Sequence, residues 1–101
     1  MVYCFDIDGT ICQENLDHEY ERAKPNKKMV ELINKLYDEG HMIKIATARG
    51  GMTGIDHTKL IKEQLQIWGV RYHELHTKVP AHLYIDDRSI HPEQFLKVYY
   101  G

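Results

Sequence analysis

Two aspartates near the start of the chain lie two positions apart, directly after an apolar run. They are Asp6 and Asp8 in the stretch FDIDGT, and Gly9 follows them. A pair of carboxylates can bind a hard cation such as Mg2+, or one can attack an electrophile while the other moves a proton. An Asp-Gly pair is also common in ordinary turns, so the motif by itself leaves both interpretations open.

Polar side chains follow two later apolar runs in the same way. Thr47 and Arg49 come after MIKIA, Asp86 and Asp87 come after HLYI, and Lys78 lies in the loop before HLYI. Ligands bind beyond the carboxyl ends of parallel strands, so we expect these side chains to meet at one edge of a sheet. Converging carboxylates repel one another unless a cation lies between them, and oxygen ligands suit Mg2+.

Such an edge is suited to attack on a phosphoryl group. A metal-polarised phosphoryl group beside an aspartate invites in-line attack when other donors neutralise its oxygens. Thr47, Lys78 and the main-chain N–H groups of the turn from Ile7 to Gly9 are the expected donors. Gly9 permits a bend, so that the two aspartates before it can take different roles.

The elements that must position these residues alternate along the chain. Apolar, β-favouring runs predict strands over Val2–Phe5, Met42–Ala46, Val70–Leu75 and His82–Ile85, and an edge strand over Lys97–Tyr100. Helical spacing with caps and breakers predicts helices over Pro25–Gly40, Asp56–Gly69 and Pro92–Leu96. Alternation at this spacing indicates βαβ units. The predicted fold is therefore α/β, a parallel sheet with helices on both faces.

Length and composition narrow the class of protein. With 101 residues, 43% of them hydrophobic and 28% charged, the chain is expected to form a single domain over residues 1–101. A formal net charge of −2 argues against a general nucleic-acid or membrane-surface binder. Cys4 and Cys12 form no disulfide framework, CxxC site or zinc cluster, and no signal or long apolar segment is present, so we expect a cytoplasmic protein.

Four segments in order resemble the motifs of the haloacid dehalogenase superfamily. FDIDGT fits its DxDGT signature, IATARG resembles the second motif, Lys78 the third, and YIDD the fourth. Together they cover nearly the whole chain. The resemblance implies a three-layer, Rossmann-like α/β domain, and neither interval between motifs is long enough for the cap that many relatives carry. The stretch from Gln13 to Lys24 has room only for a small flap.

The resemblance also implies roles for these residues. Asp6 resembles the nucleophile that forms an aspartyl-phosphate, and Asp8 the general acid that then becomes the base. Thr47 resembles the hydroxyl that holds a phosphoryl oxygen, and Lys78 the cation beside it; the implied substrate-binding residues are Thr47, Ala48, Arg49 and Lys78. Val79 follows Lys78 where relatives often have proline, which leaves Arg49 and Arg88 as alternative cations.

Magnesium is the cofactor that the resemblance implies. The expected ligands are Asp6, the main-chain carbonyl of Asp8, and Asp86, with Asp87 acting through water. The implied partner is a phosphorylated small molecule rather than a membrane or a nucleic acid. An open site without a cap either accepts large substrates or is covered by a second copy in a homo-oligomer.

Three functions remain open at this stage. The first is a magnesium-dependent phosphomonoesterase for a small metabolite such as a sugar phosphate, because small capless relatives with TARG and YIDD are associated with surface-polysaccharide or sugar metabolism. The second is a phosphatase for 3′-phosphate ends of nucleic acids, although no basic groove with aromatic platforms is evident. The third is a phospho-accepting signalling module, whose acidic pair would precede a separate phosphorylated aspartate.

Overall fold

A parallel sheet of three strands organises the computed structural model, which describes residues 1–13, 20–49 and 56–100. The strands are β1 (Val2–Phe5), β2 (Met42–Thr47) and β3 (Glu74–Thr77), with β2 in the middle. The register pairs Phe5 with Ile45, and Thr47 with Thr77. The carboxyl ends of all three strands therefore lie at one edge of the sheet, as the sequence predicted.

Three helices connect or follow the strands. They are α1 (Lys27–Asp38), α2 (Thr58–Trp68) and α3 (Pro92–Tyr100), and a short 3-10 turn covers Tyr20–Arg22. Asn26 caps α1, because its side-chain oxygen accepts a hydrogen bond from the Met29 N–H at 3.2 Å. Gly69 ends α2 with a φ of 74°, the left-handed conformation that favours glycine.

The core lies on one face of the sheet. Phe5, Ile43 and Ile45 point into it, and the buried apolar stripes of α1 and α2 pack in the same cluster. Phe95 of α3 joins its edge and stacks at an angle on Phe5, with ring centroids 5.8 Å apart. The alternate strand side chains lie outside this cluster; Val2, for example, is 59% exposed. Because successive side chains in a strand point to opposite faces, the side chains that follow β1 and β2 have defined directions relative to the sheet.

The predicted α/β class, with a parallel sheet and no cap domain, is confirmed for the described residues. The described helices contribute to a core on one sheet face, whereas the sequence had suggested helices on both. Half of the interval expected to form a flap, residues 14–19, lies outside the described residues. No helix in the described parts of the chain is long and apolar enough to cross a membrane.

The third strand lies later in the chain than predicted. It covers Glu74–Thr77 instead of Val70–Leu75, because Val70 is still engaged in ending α2: its N–H donates to the Leu65 carbonyl at 2.9 Å. The shift has a consequence for the site. Lys78 now directly follows the last strand residue, and its N–H donates to the Thr47 carbonyl at 2.7 Å.

Two predictions for the last quarter of the chain are wrong. His82–Ile85 forms no strand, and Ile85 is 90% exposed. An apolar β-favouring run becomes a strand only when a neighbour pairs with it, so its composition was insufficient evidence. The edge strand expected over Lys97–Tyr100 is instead the end of α3, where Tyr99 packs one turn from Phe95 with ring centroids 4.9 Å apart.

Candidate active site

The turn after β1 is organised around one carbonyl group. The Ile7 oxygen accepts hydrogen bonds from the N–H groups of Thr10, Ile11 and Cys12 at 2.9 to 3.1 Å. Gly9 has a φ of 84° and donates its own N–H to the Cys12 carbonyl at 2.9 Å. A side chain at this φ is strained, which explains the glycine after the second aspartate. The N–H of Gly9, expected from the sequence to face a phosphoryl oxygen, is thus engaged within the turn.

Asp6 lies directly after β1 and is partly buried. Burial raises the pKa of its carboxyl, although the N–H of Ile7 and the positive charge of Lys78 act in the opposite direction. Asp8 adds a smaller repulsion that also raises the pKa of Asp6. A partly desolvated carboxylate near a cation is a favourable setting for a nucleophile.

Thr47 ends β2 and Lys78 follows β3, so both lie at the same edge of the sheet as Asp6. Thr47 is only 5% exposed, and its hydroxyl oxygen accepts a hydrogen bond from the Arg49 N–H at 3.1 Å. A hydroxyl that accepts in this way keeps its O–H as a donor group. The Lys78 ammonium lies over the Tyr84 ring, 4.0 Å from its centroid, which is a cation–π contact.

Arg49 forms a two-pronged ion pair with Asp8. Its Nε lies 2.8 Å from one carboxylate oxygen of Asp8 and its Nη2 lies 2.8 Å from the other. The Arg49 side chain is fully buried, whereas that of Asp8 is 23% exposed. Burial by itself would lower the pKa of Arg49, but the hydrogen bond and charge of Asp8 raise it above the ordinary value. Arg49 is therefore charged, and its main partner is an aspartate of the first motif.

Sequence reasoning missed three residues that surround this pair. Gln64 of α2 accepts from Arg49 Nη1 at 2.6 Å, the Tyr20 ring lies 4.5 Å from the guanidinium carbon, and the Cys12 sulfur lies 3.4 Å from Asp8 Oδ1. Gln64 had a visible signal, because it is a polar residue at an inward position of the apolar stripe of α2. Burial and the negative charge of Asp8 raise the pKa of Cys12 to about 12, so this thiol is inert.

Asp86 and Asp87 do not join the other candidate residues. Both are exposed, and the Asp86 side chain accepts a hydrogen bond from the Arg88 N–H at 3.0 Å, a contact within its own turn. That local bond is the main reason why the pKa of Asp86 is lowered. The structure thus brings together Asp6, Asp8, Thr47, Arg49 and Lys78, with Ala48 between two of them, and leaves the fourth motif apart.

Two of the four expected magnesium ligands fit a metal. The Asp6 carboxylate and the Asp8 main chain offer oxygen donors at the end of β1, and a cation there would relieve the desolvation of Asp6. Within residues 1–13, 20–49 and 56–100, no group of three or more His, Cys, Asp or Glu side chains is arranged to share a metal. Asp86 can complete this set only when its segment approaches the end of β1.

A cleft of about 690 Å³ lies between β3 and the start of α2, and it extends along β3 from Tyr72 to the strand ends at Thr47 and Thr77. Its wall includes Thr47 and Arg49 on one side, and polar side chains continue along it: Asp56, His57, Thr58, Lys62, Tyr72, His73, His76 and Thr77. The volume and mostly polar lining fit a small hydrophilic molecule better than an apolar one.

Comparison with known proteins gives one family and one fold. The family model of haloacid dehalogenase-like hydrolases matches residues 3–93. A crystal structure of a protein target from Vibrio cholerae is 30% identical in sequence, with a TM-score of 0.81, over 94% of this chain and 86% of that chain. A structure of the Pnkp1/Rnl/Hen1 complex is 20% identical, with a TM-score of 0.62, over 95% of this chain and 33% of that chain. A search of curated proteins found no match.

Proposed function

The chain belongs to the haloacid dehalogenase-like hydrolases, and from this premise we propose that it is a magnesium-dependent phosphomonoesterase of small phosphorylated metabolites. The observation that carries the proposal is the position of Asp6 directly after β1. Its carboxylate is partly buried there, and the positive charge of Lys78 acts to lower its pKa. Thr47, at the end of the adjacent strand, supplies a hydroxyl. The proposed nucleophile, cation and donor thus follow three neighbouring strands, which supports the assignment.

The reaction has two steps on these residues. An oxygen of Asp6 attacks the phosphorus atom and the bond to the leaving oxygen breaks, while Asp8 gives that oxygen a proton. Asp8 then takes a proton from a water molecule, which attacks the phosphorus atom and releases inorganic phosphate and the Asp6 carboxylate. Thr47 and Lys78 hold the phosphoryl oxygens in both steps.

Magnesium would be held by Asp6, by the main-chain carbonyl of Asp8 and by Asp86, with Asp87 acting through water. When bound, it neutralises charge on the phosphoryl oxygens and on the acidic cluster. Arg88 belongs to the same exposed turn as Asp86 and is not needed as the cation when Lys78 takes that role.

The substrate class is proposed from the cleft. Its polar wall includes Thr47, the proposed donor to a phosphoryl oxygen, and we assign the leaving group of the substrate to this wall. A hydroxylated, anionic molecule such as a sugar phosphate satisfies such a wall by hydrogen bonds. We retain cleavage of 3′-phosphate ends as the second candidate, because the described part of the chain carries no cap that would exclude a strand end.

The test is hydrolysis of an aryl phosphate with and without Mg2+. We expect activity only with the metal and a loss of at least about a thousandfold in Asp6→Asn, which cannot form the phosphoenzyme. Asp8→Asn should lose turnover while it still accumulates phosphate on Asp6. Activity retained in Asp6→Asn would contradict the proposed nucleophile. A screen of phosphorylated metabolites beside a 3′-phosphorylated oligonucleotide then distinguishes the two substrate classes.

A further inference from the structure

The resemblance to the second motif does not explain why Arg49 is buried and paired with Asp8. Arg49 meets both carboxylate oxygens of Asp8 in a planar fork, and its side chain has no exposed surface. A guanidinium in this position is not a flexible surface cation. It fixes the plane and the rotamer of the carboxylate that it holds, because two parallel hydrogen bonds specify an orientation that a single bond does not.

Arg49 is itself fixed from three sides. The Gln64 side-chain oxygen accepts a hydrogen bond from Arg49 Nη1 at 2.6 Å. Gln64 is itself held, because its amide nitrogen donates to the Tyr20 carbonyl at 2.5 Å. The Tyr20 ring covers the guanidinium face. The Arg49 main-chain N–H is bonded to the Thr47 hydroxyl oxygen at 3.1 Å. One residue thus links the Thr47 hydroxyl to the Asp8 carboxylate.

We propose that Arg49, held by Gln64 and Tyr20, is a positioning residue that aims the Asp8 carboxylate as the base that takes a proton from water in the second step. The inference rests on the proposed phosphatase function. Proton transfer requires the donor and acceptor atoms to lie within hydrogen-bond reach, and a misplacement of about 1 Å can cost on the order of a hundredfold in rate. The fork contacts both carboxylate oxygens of Asp8, and 23% of the Asp8 side chain stays exposed beside it.

The principal test is removal of the fork with chemical rescue. In Arg49→Ala, we expect kcat for an aryl phosphate to fall about 10- to 100-fold with KM changed less than about threefold. Guanidinium at low millimolar concentration should restore at least about a third of the lost kcat, because it can occupy the vacated site. Arg49→Lys keeps the charge without the fork and should remain impaired. Arg71→Ala, which removes an exposed arginine paired with Asp38, is the matched control and should change neither kcat nor the response to guanidinium.

A milder variant covers the case in which Arg49→Ala does not fold. Gln64→Ala leaves the fork in place but frees the far end of Arg49, and we expect a loss of about 3- to 10-fold in kcat. Gln66→Ala, an exposed residue of the same helix, should have no effect. Either Gln64→Ala at the wild-type kcat, or a loss in Gln64→Ala that appears in KM alone, would overturn the proposal.

Dependence on Asp8 separates positioning from a general structural role. In the Asp8→Asn background, Arg49→Lys should slow phosphoenzyme hydrolysis no further, because Arg49 acts through the carboxylate that is already absent. A full additional loss would overturn the inference. Failure of the proposed function would look different: Asp6→Asn would keep its activity, whatever the behaviour of Arg49.

Discussion

The two acidic pairs of this chain lie in different surroundings. Asp8 is paired with a buried arginine that glutamine, tyrosine and threonine contact in turn, and Asp6 is partly desolvated at the end of β1. Asp86 and Asp87 are exposed and bonded within their own turn. Both pairs follow β-favouring apolar runs of similar length. The difference is that Val2–Phe5 has a strand partner in β2, whereas His82–Ile85 has no place in the sheet.

This contrast shows that the residue types of a motif do not by themselves position its side chains. A carboxylate is directed only when its backbone is held by a strand and its side chain by partners that are themselves held. The first pair meets both conditions. The second pair has the ligand chemistry of the family motif, but Asp86 is bonded within its own turn, so its role as a metal ligand depends on an approach of residues 79–91 to β1.

The largest expected effect compares one core position with one position of the exposed segment. Ile45→Ala removes a side chain with no exposed surface and should lower the free energy of unfolding by about 2 to 4 kcal/mol. Ile85→Ala removes one that is 90% exposed and should change it by less than about 0.5 kcal/mol. Urea unfolding of both variants without Mg2+ is the measurement. A cost above about 1.5 kcal/mol for Ile85→Ala would mean that its segment packs on the sheet.

A smaller effect is expected when the second acidic pair is changed. If Asp86 approaches β1 to bind the metal, Asp86→Asn should raise the Mg2+ concentration for half-maximal activity at least about tenfold. Its unfolding without Mg2+ should stay within about 0.5 kcal/mol of wild type, since its contacts are local and exposed. Asp87→Asn, whose proposed role is through water, should shift the Mg2+ requirement less. An unchanged requirement in Asp86→Asn would remove it from the ligand set and keep the two regions separate.

The smallest expected effect concerns the pH dependence of stability in the metal-free protein. Because burial raises the pKa of Asp6 in the folded state, folding favours its protonated form. That contribution is complete below the ordinary Asp range, near pH 4, and is lost as the pH rises through the raised value. Asp6→Asn removes the charge permanently and should therefore exceed wild type in stability by on the order of 1 kcal/mol at pH 7.

Thermal unfolding in EDTA between pH 4 and pH 8 measures this difference. The advantage of Asp6→Asn should grow as the pH rises and then level off. Glu63→Gln is the control, because it removes the charge of an exposed carboxylate on α2. A difference that is flat with pH, or that favours wild type at pH 7, would contradict the desolvation of Asp6.

Local chemistry explains which parts of the fold were predictable. Val2–Phe5 and the β2 strand are short apolar, β-favouring runs, and both were found where the pattern put them, β2 one residue longer. The full burial predicted for Val2–Phe5 was wrong, because Val2 is 59% exposed on the outer face of the sheet. The start of β3 was not predictable in this way. Val70 is engaged with the end of α2, and the N–H of Arg71 donates to Asn34 of α1, a partner 37 positions away in the sequence.

The site residues also differ in how far the local sequence predicts them. The residue types and their order after strand ends were sufficient to nominate Asp6, Asp8, Thr47 and Lys78, and the nomination still awaits experiment. Nothing in the local sequence pairs Arg49 with Asp8, 41 positions apart, because the pairing depends on β1 lying beside β2. The participation of Gln64 depends on α2 packing over the same strand ends.

By itself, the sequence determined the α/β class, the family and the chemical groups available at the strand ends, because these follow from short-range periodicity and from residue type. The tertiary structure alone decided which carboxylates are held and by what. Burial, ion pairing and cation–π contact are relations between segments brought together by packing, so Asp8 acquired a fixed partner while Asp86 kept only its own turn.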